Sequence, residues 1–295
     1  MIDQIEIKSV SDFLIKLSDA ERSRKEEIYE QLDLTAAEKV RLDKSKTWIY
    51  RGQSKLATDP EYRLIPSVGR ANYSGKIDFS EFVRLEKLSH DVFKKQTVAN
   101  TSPLPRNSWE ILALAQHHGL PTRFMDWTTN ALVALYFAVR NPLHDESVSA
   151  IYILTKETIN YEGLVNKIRT DSKLSLEQHV DSKRGKRNQI QEKHIELLIR
   201  NEEISPFDIT ENVIYDPPHV SPRIRAQDGV LLAFHNPVNP LDSSQYIEWT
   251  IPGDNRALIR RELEQYGVFD KQLFPDLDGL AKWLKFKVFD SYENS

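Results

Sequence analysis

The sequence predicts an α+β fold, in which a split or strongly bent mixed sheet is flanked by helices. Short apolar stretches with the composition of buried strands recur near residues 47, 150, 213, 230 and 246. Amphipathic helical patterns separate them at uneven intervals, so the regular alternation of a parallel βαβ fold is missing. With 295 residues, 40% of them apolar, the chain has enough material for one large core. A single domain is therefore predicted.

The domain organisation predicted along the chain has three parts. Residues 1–46 form an N-terminal helical region, in which Ser9 or Ser11 is placed to cap the first helix. Residues 47–295 form the main domain. Within it, a segment at about 156–210 is highly charged and poor in apolar side chains, which is typical of an exposed insertion or lid.

Composition and motifs exclude several classes of protein. The net charge of -4 argues against a surface that is basic throughout, although a local contact with nucleic acid stays open. The absence of cysteine excludes disulfides and thiolate metal ligands, and His117 and His118 are adjacent and hence a poor metal pair, so no metal is expected. No long apolar run or leader pattern is present, and a cytoplasmic protein without a membrane partner is expected. The motifs GxGxxG, GxxxxGK[ST], GxSxG and HExxH are also absent from the sequence.

The candidate site centres on residues 109–139, where two apolar helices enclose a turn rich in polar side chains. Rigid elements on both sides would hold such side chains in fixed positions. A buried polar group without a partner is costly, so polar residues embedded in apolar sequence are expected to share one cleft. These residues are Arg51, Gln53, His118, Arg123, Asp126, Thr128 and Gln227.

Three features of the sequence each have two open interpretations. Arg51 follows a buried strand and either holds an anionic ligand or pairs with an internal carboxylate. Tyr136 lies on the apolar stripe of the second helix and is either a core residue or a ligand contact. The basic run at residues 183–193 is either part of a solvated lid or a contact for RNA, DNA or an acidic partner.

The chain resembles the FRG-domain family at these residues. The family's aromatic-Arg-Gly motif stands at residues 50–53 (YRGQ), followed by LIPSVGR at 64–70. A long and specific signature occupies 112–138, and shorter matches lie at 223–229 and 273–280. The resemblance implies a bacterial or phage protein associated with toxin and antiviral defence systems, with an antitoxin or another defence protein as a possible partner.

A more distant similarity to NAD-dependent ADP-ribosyltransferases implies NAD as the substrate and an ADP-ribosyltransferase-like fold. In this comparison Arg51 binds phosphate or ribose, the main chain of Gly52 holds the carboxamide, and Tyr136 stacks on nicotinamide. Gln227 lies near the ribose, where a glutamate is usual. The expected nucleotide-binding set is completed by Tyr50, Gln53 and Thr128.

Three functions follow from this reading. The first is a NAD-dependent ADP-ribosyltransferase that modifies nucleic acid or protein, with His118 or Asp126 as general base and with Asp126 or Glu248 replacing the missing glutamate. The second is a non-catalytic nucleotide-sensing or partner-binding module. The third is a nuclease built on His118 and Asp126, although the sequence lacks the acidic cluster that Mg²⁺ requires.

Overall fold

In the computed structural model, six strands form one sheet. The model describes residues 5–31, 35, 48–70, 77–140, 147–155, 158–178, 204–218 and 221–290. The strands are β1 (Ile49–Gln53), β2 (Phe124–Thr128), β3 (Ser149–Leu154), β4 (Val213–Tyr215), β5 (Gly229–Ala233) and β6 (Tyr246–Ile251), in the spatial order β4-β5-β2-β1-β3-β6.

The α+β class is confirmed, but the predicted mixed sheet is wrong in one respect. Every pair of neighbouring strands in this sheet is antiparallel. Parallel pairing among the described residues is confined to two isolated bridges, Glu6 with Thr250 and Asn160 with Ile214. The composition of a strand indicates burial but not the direction of its neighbour, because that direction is set by contacts far along the chain.

Helices cover the sheet. The α-helices of the described residues are α1 (Val10–Gln31), α2 (Ser67–Arg70), α3 (Phe79–Thr97), α4 (Ser108–His117), α5 (Ala131–Val139), α6 (Tyr161–Gln178), α7 (Pro222–Ala226), α8 (Gly253–Gln265), α9 (Asp270–Leu273) and α10 (Leu277–Lys285). The predicted cap at Ser9 is present, since its Oγ accepts from the Asp12 amide at 3.0 Å. None of these helices combines the length and apolar character needed to cross a membrane.

Both faces of the sheet are covered by apolar side chains. On one face, α1, α5 and α8 pack on β1, β3 and β6, and Phe13 of α1 meets Trp249 of β6 edge to face at 5.9 Å. The N-terminal helix thus belongs to the main core. The predicted boundary at residue 46 lies outside the described residues and stays a prediction.

The charged insertion is only partly exposed. Its described parts bury Leu164, Ile168, Ile204 and Ile209 in a cluster around Trp109 of α4. The indole nitrogen of Trp109 also donates to the main-chain oxygen of Ile204 at 2.7 Å. The described ends of the segment therefore contribute to the core, which the prediction of an exposed insertion or lid did not include. The basic run at residues 183–193 lies outside the described residues.

The sheet is split at its centre, between β1 and β2. The pairings of β1 with β3 and of β2 with β5 each extend over five residue pairs, whereas β1 and β2 share only Tyr50 with Thr128. Beyond that pair, Arg51 reaches across, and its Nη1 donates to the main-chain oxygen of Asp126 at 2.5 Å. A side-chain donor thus takes the place of a ladder hydrogen bond.

Gly52 lets β1 lie directly on α5. A Cβ at this position would lie 1.8 Å from the oxygen of Ala134 and 2.6 Å from the nitrogen of Ala138, both main-chain atoms of α5. Main-chain atoms of a helix cannot move aside without breaking its hydrogen bonds. The glycine is therefore required for packing, independently of the predicted contact of its main chain with a carboxamide.

We expect Gly52→Ala to lower the free energy of unfolding by about 1–3 kcal/mol or more, because overpacking forces β1 away from α5. Denaturant unfolding would measure the loss. Gly229→Ala is the matched control, since a Cβ there has its nearest neighbour at 3.4 Å, an ordinary contact. Equal stability of the two variants would contradict the packing role.

Candidate ligand-binding cleft

The split between β1 and β2 opens into a cavity of about 260 Å³. Tyr50, Arg51 and Gly52 line it from β1, and residues of β2, α4, α5, α7 and β5 form its other walls. Its volume is close to the lower end of the range of roughly 300–1,000 Å³ that is usual for small-molecule sites. The polar side chains that line it are Arg51, Gln116, His117, Asp126, Thr128, Arg223 and Gln227.

A second cavity, of about 230 Å³, adjoins the first. The two share Arg51, Gln116 and Asp126, and the second also includes Ser67 and Arg70. The charged side chains around the two cavities are three arginines and one aspartate, Arg51, Arg70, Arg223 and Asp126. The cleft is thus locally cationic in a chain whose net charge is -4.

Arg51 stands between the two cavities and is half-buried. Burial lowers its pKa to about 10, the charge of Asp126 opposes this, and nearby Arg70 adds to the lowering. The side chain stays protonated at neutral pH. Its only hydrogen bond within the described part of the chain goes to a main-chain oxygen rather than to a carboxylate. Arg51 is therefore not neutralised by a hydrogen-bonded internal ion pair, which was the alternative to ligand binding.

The carboxylate of Asp126 is exposed to the cleft and oriented by Gln116. Its Oδ1 accepts from Gln116 Nε2 at 2.7 Å, and Gln116 Oε1 in turn accepts from Thr122 Oγ1 at 2.5 Å. Thr122 is fully buried, so this chain of hydrogen bonds is anchored in the core. A negative charge is thereby held close to Arg51 and His117.

His117, rather than the predicted His118, faces the cleft. His117 is half-buried and lines the larger cavity, whereas His118 is exposed beyond the end of α4 and lines neither cavity. The two imidazole rings meet edge to face at 5.1 Å, but because successive helix residues point roughly 100° apart, only His117 is turned into the cavity. Burial lowers the pKa of His117, the charges of His118 and Arg223 lower it further, and Asp126 opposes them. A general base at this end of α4 would be His117.

An aromatic ring does line the cleft, but it belongs to Phe137 and not to Tyr136. Tyr136 is 1% exposed in the core, where burial and the neighbouring Asp270 raise its pKa. Phe137 lines the cavity and meets Phe274 edge to face at 6.2 Å. Of the two alternatives for Tyr136, the structure favours the core residue.

Gln227 and Thr128 lie in the cleft and are tied to each other. Thr128 Oγ1 donates to the main-chain oxygen of Gln227 at 2.7 Å, and Gln227 Nε2 donates to the main-chain oxygen of Leu273 at 3.0 Å. The amide of Gln227 is thus partly engaged in holding α7 against α9. Tyr50 also lines the cavity, while its hydroxyl donates to Glu21 of α1 at 3.0 Å.

Three of the other predicted polar residues lie away from the cleft. Gln53 is buried and lines neither cavity. Glu248 lies on β6, which β3 separates from β1. Arg123 is 1% exposed, and its Nε and Nη2 donate to Glu86 of α3 at 2.9 and 2.5 Å. Arg123 is therefore a structural residue, paired with a buried glutamate of α3.

Several residues that line the two cavities were not predicted from the sequence, among them Arg70, Gln116, His117, Phe137 and Arg223. Arg70 and Arg223 stood inside the quoted motifs, and His117 and Phe137 are each one position from a predicted residue. These four and Gln116 required the rotational phase of their helices, which spacing along the chain alone does not give. Among the described residues, no group of three histidine or acidic side chains converges as metal ligands.

The fold and the cleft define an α+β protein with an open antiparallel sheet and an arginine-lined site where two central strands part. Residues 46–147 match the model of the FRG domain. This region contains β1, β2, the Arg51 bridge and α5, so the resemblance to that family is confirmed over these residues. No curated protein and no solved structure matches the chain.

We expect Glu86→Ala to lower the free energy of unfolding by about 3–5 kcal/mol, because the buried charge of Arg123 loses its partner. Denaturant unfolding would measure the change. Glu81→Ala, which breaks the exposed pair with Arg84 on the same helix, is the control and should stay close to wild type. Similar losses in both variants would contradict the structural role of Arg123.

The lowered pKa of His117 predicts that the free energy of unfolding depends on pH. Because folding favours the neutral imidazole, this stabilisation is present above the unfolded pKa of about 6.5 and is lost as pH falls through the folded pKa. We expect Asp126→Asn to lower the pKa of His117 further, since Asp126 raises it. An NMR titration of the imidazole would measure this. Asp254→Asn, outside both cavities, should leave the titration unchanged, and a rise in Asp126→Asn would contradict the geometry.

Proposed function

We propose that the chain is a NAD-dependent ADP-ribosyltransferase of the cytoplasm, acting on nucleic acid or protein within a toxin or antiviral defence system. The observation that carries the proposal is the convergence of Arg51, Arg70 and Arg223 on a cleft that has one carboxylate, Asp126. Guanidinium groups bind phosphate oxygens through paired, charge-assisted hydrogen bonds. A ligand with a diphosphate would match this arrangement.

The walls of the larger cavity suit a nucleotide in another respect. Apolar side chains, Phe137, Ile224 and Leu231 among them, stand beside the charged ones. The guanidinium of Arg223, which lines this cavity, lies 4.7 Å from the ring centre of Phe274. A planar nicotinamide ring would pack on the apolar part while the phosphates meet the arginines.

The transfer step assigns a role to each titratable group. The bond between the ribose C1 and the nicotinamide nitrogen breaks, and its electron pair stays with nicotinamide. A new bond forms between C1 and an oxygen or nitrogen of the acceptor, whose proton passes to Asp126 or to the neutral His117. The negative charge of Asp126 would also stabilise the developing oxocarbenium ion, which the amide of Gln227 cannot do.

One observation favours a second function, a nucleotide-sensing module without turnover. The carboxylate next to Gln227 in the chain is Asp228, which accepts from Asn130 at 3.0 Å and lines neither cavity. Asp126 is engaged by Gln116. If Asp126 stabilises no cation, the same arginines would bind a nucleotide and leave it intact.

We expect Arg51→Ala to reduce transfer of label from NAD by roughly ten- to a hundred-fold, the equivalent of about 1.5–3 kcal/mol for charge-assisted hydrogen bonds. The full chain would be incubated with NAD labelled in the adenylate half and with a cell lysate. Protein and nucleic acid are then separated to find the acceptor. Arg84→Ala, an exposed arginine of α3, is the control and should retain activity.

Melting temperatures of the variants show whether Arg51→Ala is folded. Release of nicotinamide and labelling of an acceptor by wild type, lost in folded Arg51→Ala, would support the transferase. Stabilisation of wild type by NAD without nicotinamide release would support the sensing module instead. Full activity in Arg51→Ala would refute the role of Arg51 in both.

A further inference from the structure

We infer that the smaller cavity is a separate phosphate subsite, in which the guanidinium groups of Arg70 and Arg51 hold one phosphate group. In its choice of ligand this inference rests on the proposed function, because a transferase acting on NAD handles phosphate on the dinucleotide and on a nucleic-acid acceptor. The subsite itself rests on the geometry of the smaller cavity.

Arg70 is positioned before any ligand binds. Its Nε donates to the main-chain oxygen of Ile65 at 2.9 Å, and its Nη2 donates to that of Arg63 at 3.2 Å. Nη1 makes no hydrogen bond to the described residues, and none of the ion pairs found among them includes Arg70. A guanidinium fixed by carbonyls keeps its full charge and loses little entropy when it binds an anion.

The segment that carries Arg70 is also fixed. Helix α2 is wedged against the loop after β5, because a Cβ at Gly69 would lie 1.8 Å from the main-chain oxygen of Pro237. Ser67 Oγ, at the start of α2, accepts from the Thr122 amide at 3.1 Å. Thr122 directly precedes the turn into β2, so Arg70 and Asp126 are held in one frame. Rigid support of this kind is what a binding side chain needs.

Arg51 supplies the second guanidinium, because it lines both cavities. Only its Nη1 donates a hydrogen bond in the described part of the chain, which leaves Nη2 for a ligand. The two arginines are close enough for Arg70 to lower the pKa of Arg51. An anion between them would relieve this repulsion.

Asp126 lines the same cavity and works against an anion. Its Oδ1 is occupied by Gln116, and one negative charge stands against two guanidinium groups. The balance around the smaller cavity is therefore positive. A phosphate that carries one or two negative charges suits this balance better than a neutral ligand does.

The test is titration of the full chain with inorganic phosphate, in chloride buffer at constant ionic strength, by calorimetry. We expect Arg70→Gln to bind phosphate at least ten-fold more weakly than wild type. Arg63→Gln is the matched control: it removes the same charge seven residues away, and its side chain lines neither cavity. It should bind as wild type does. Equal binding by Arg70→Gln and wild type, or an equal loss in Arg63→Gln, would overturn the subsite.

The source of the phosphate is found with two further probes, ADP-ribose and a short single-stranded oligonucleotide. Weaker binding of ADP-ribose by Arg70→Gln assigns the subsite to the dinucleotide. Unchanged binding of ADP-ribose with weaker binding of the oligonucleotide assigns it to an acceptor. If wild type turns over no NAD but Arg70→Gln still loses phosphate, the proposed function fails and the subsite stands. If wild type turns over NAD but Arg70→Gln binds phosphate as tightly as wild type does, the subsite fails and the proposed function stands.

Because Arg70 also donates to two main-chain oxygens, the melting temperature of Arg70→Gln is measured first. If it is unfolded, Arg70→Lys replaces it, since lysine keeps the charge but lacks the second pair of donors. We expect Arg70→Lys to bind phosphate about three- to ten-fold more weakly than wild type, because arginine forms two parallel hydrogen bonds with a phosphate and lysine acts as a point charge. Binding as tight as that of wild type would then overturn the proposal.

Discussion

The structure depends on the way β1 and β2 are joined. They share one residue pair, and beyond it the side chain of Arg51 takes the place of the next strand contact by donating to the main-chain oxygen of Asp126. A gap in the centre of a sheet would otherwise leave main-chain groups unpaired in a partly apolar environment, which is costly. The arginine satisfies one of these groups and, at the same contact, holds a positive charge between two cavities. The split and the site therefore have the same origin.

β1 and β2 stay apart because β1 is fixed by contacts with α5 and β3. Gly52 places β1 against the main chain of α5, and β3 pairs with the full length of β1 on its other edge. On the opposite side of the gap, β2 is held by β5 over its full length. Each strand thus has one complete partner, and the two halves are tied together by Tyr50 with Thr128 and by Arg51. A cleft between two such halves is formed before any ligand arrives, which lowers the cost of binding.

Much of this arrangement could be predicted from the sequence, and the exceptions share a physical cause. Arg51, Asp126, Thr128 and Gln227 were expected in one cleft although they are far apart in the chain, because polar residues in apolar surroundings have few other places to be. The structure brings these four together. His118 and Tyr136 were considered as cleft residues, but the residues that line the cavity are their neighbours His117 and Phe137. A step of one residue turns a side chain by roughly 100° on a helix, and spacing alone does not give that phase. Arg123 was predicted in the cleft because its partner Glu86 lies 37 residues away in the chain, and a buried ion pair of that kind has no signature in the sequence.

The two cavities are linked through the residues they share, and this has a consequence for how they would work together. Asp126 opposes the lowering of the pKa of both Arg51 and His117, while Arg70 lowers the pKa of Arg51. An anion beside Arg70 would offset that repulsion and raise the pKa of Arg51, which lines the larger cavity as well. Occupation of one cavity would therefore change the electrostatics of the other. Coupling of this kind is reciprocal, so a ligand in the larger cavity would alter phosphate affinity in the smaller one by the same factor. Arg51 would be the physical route of that coupling, because it is the cation that lines both cavities.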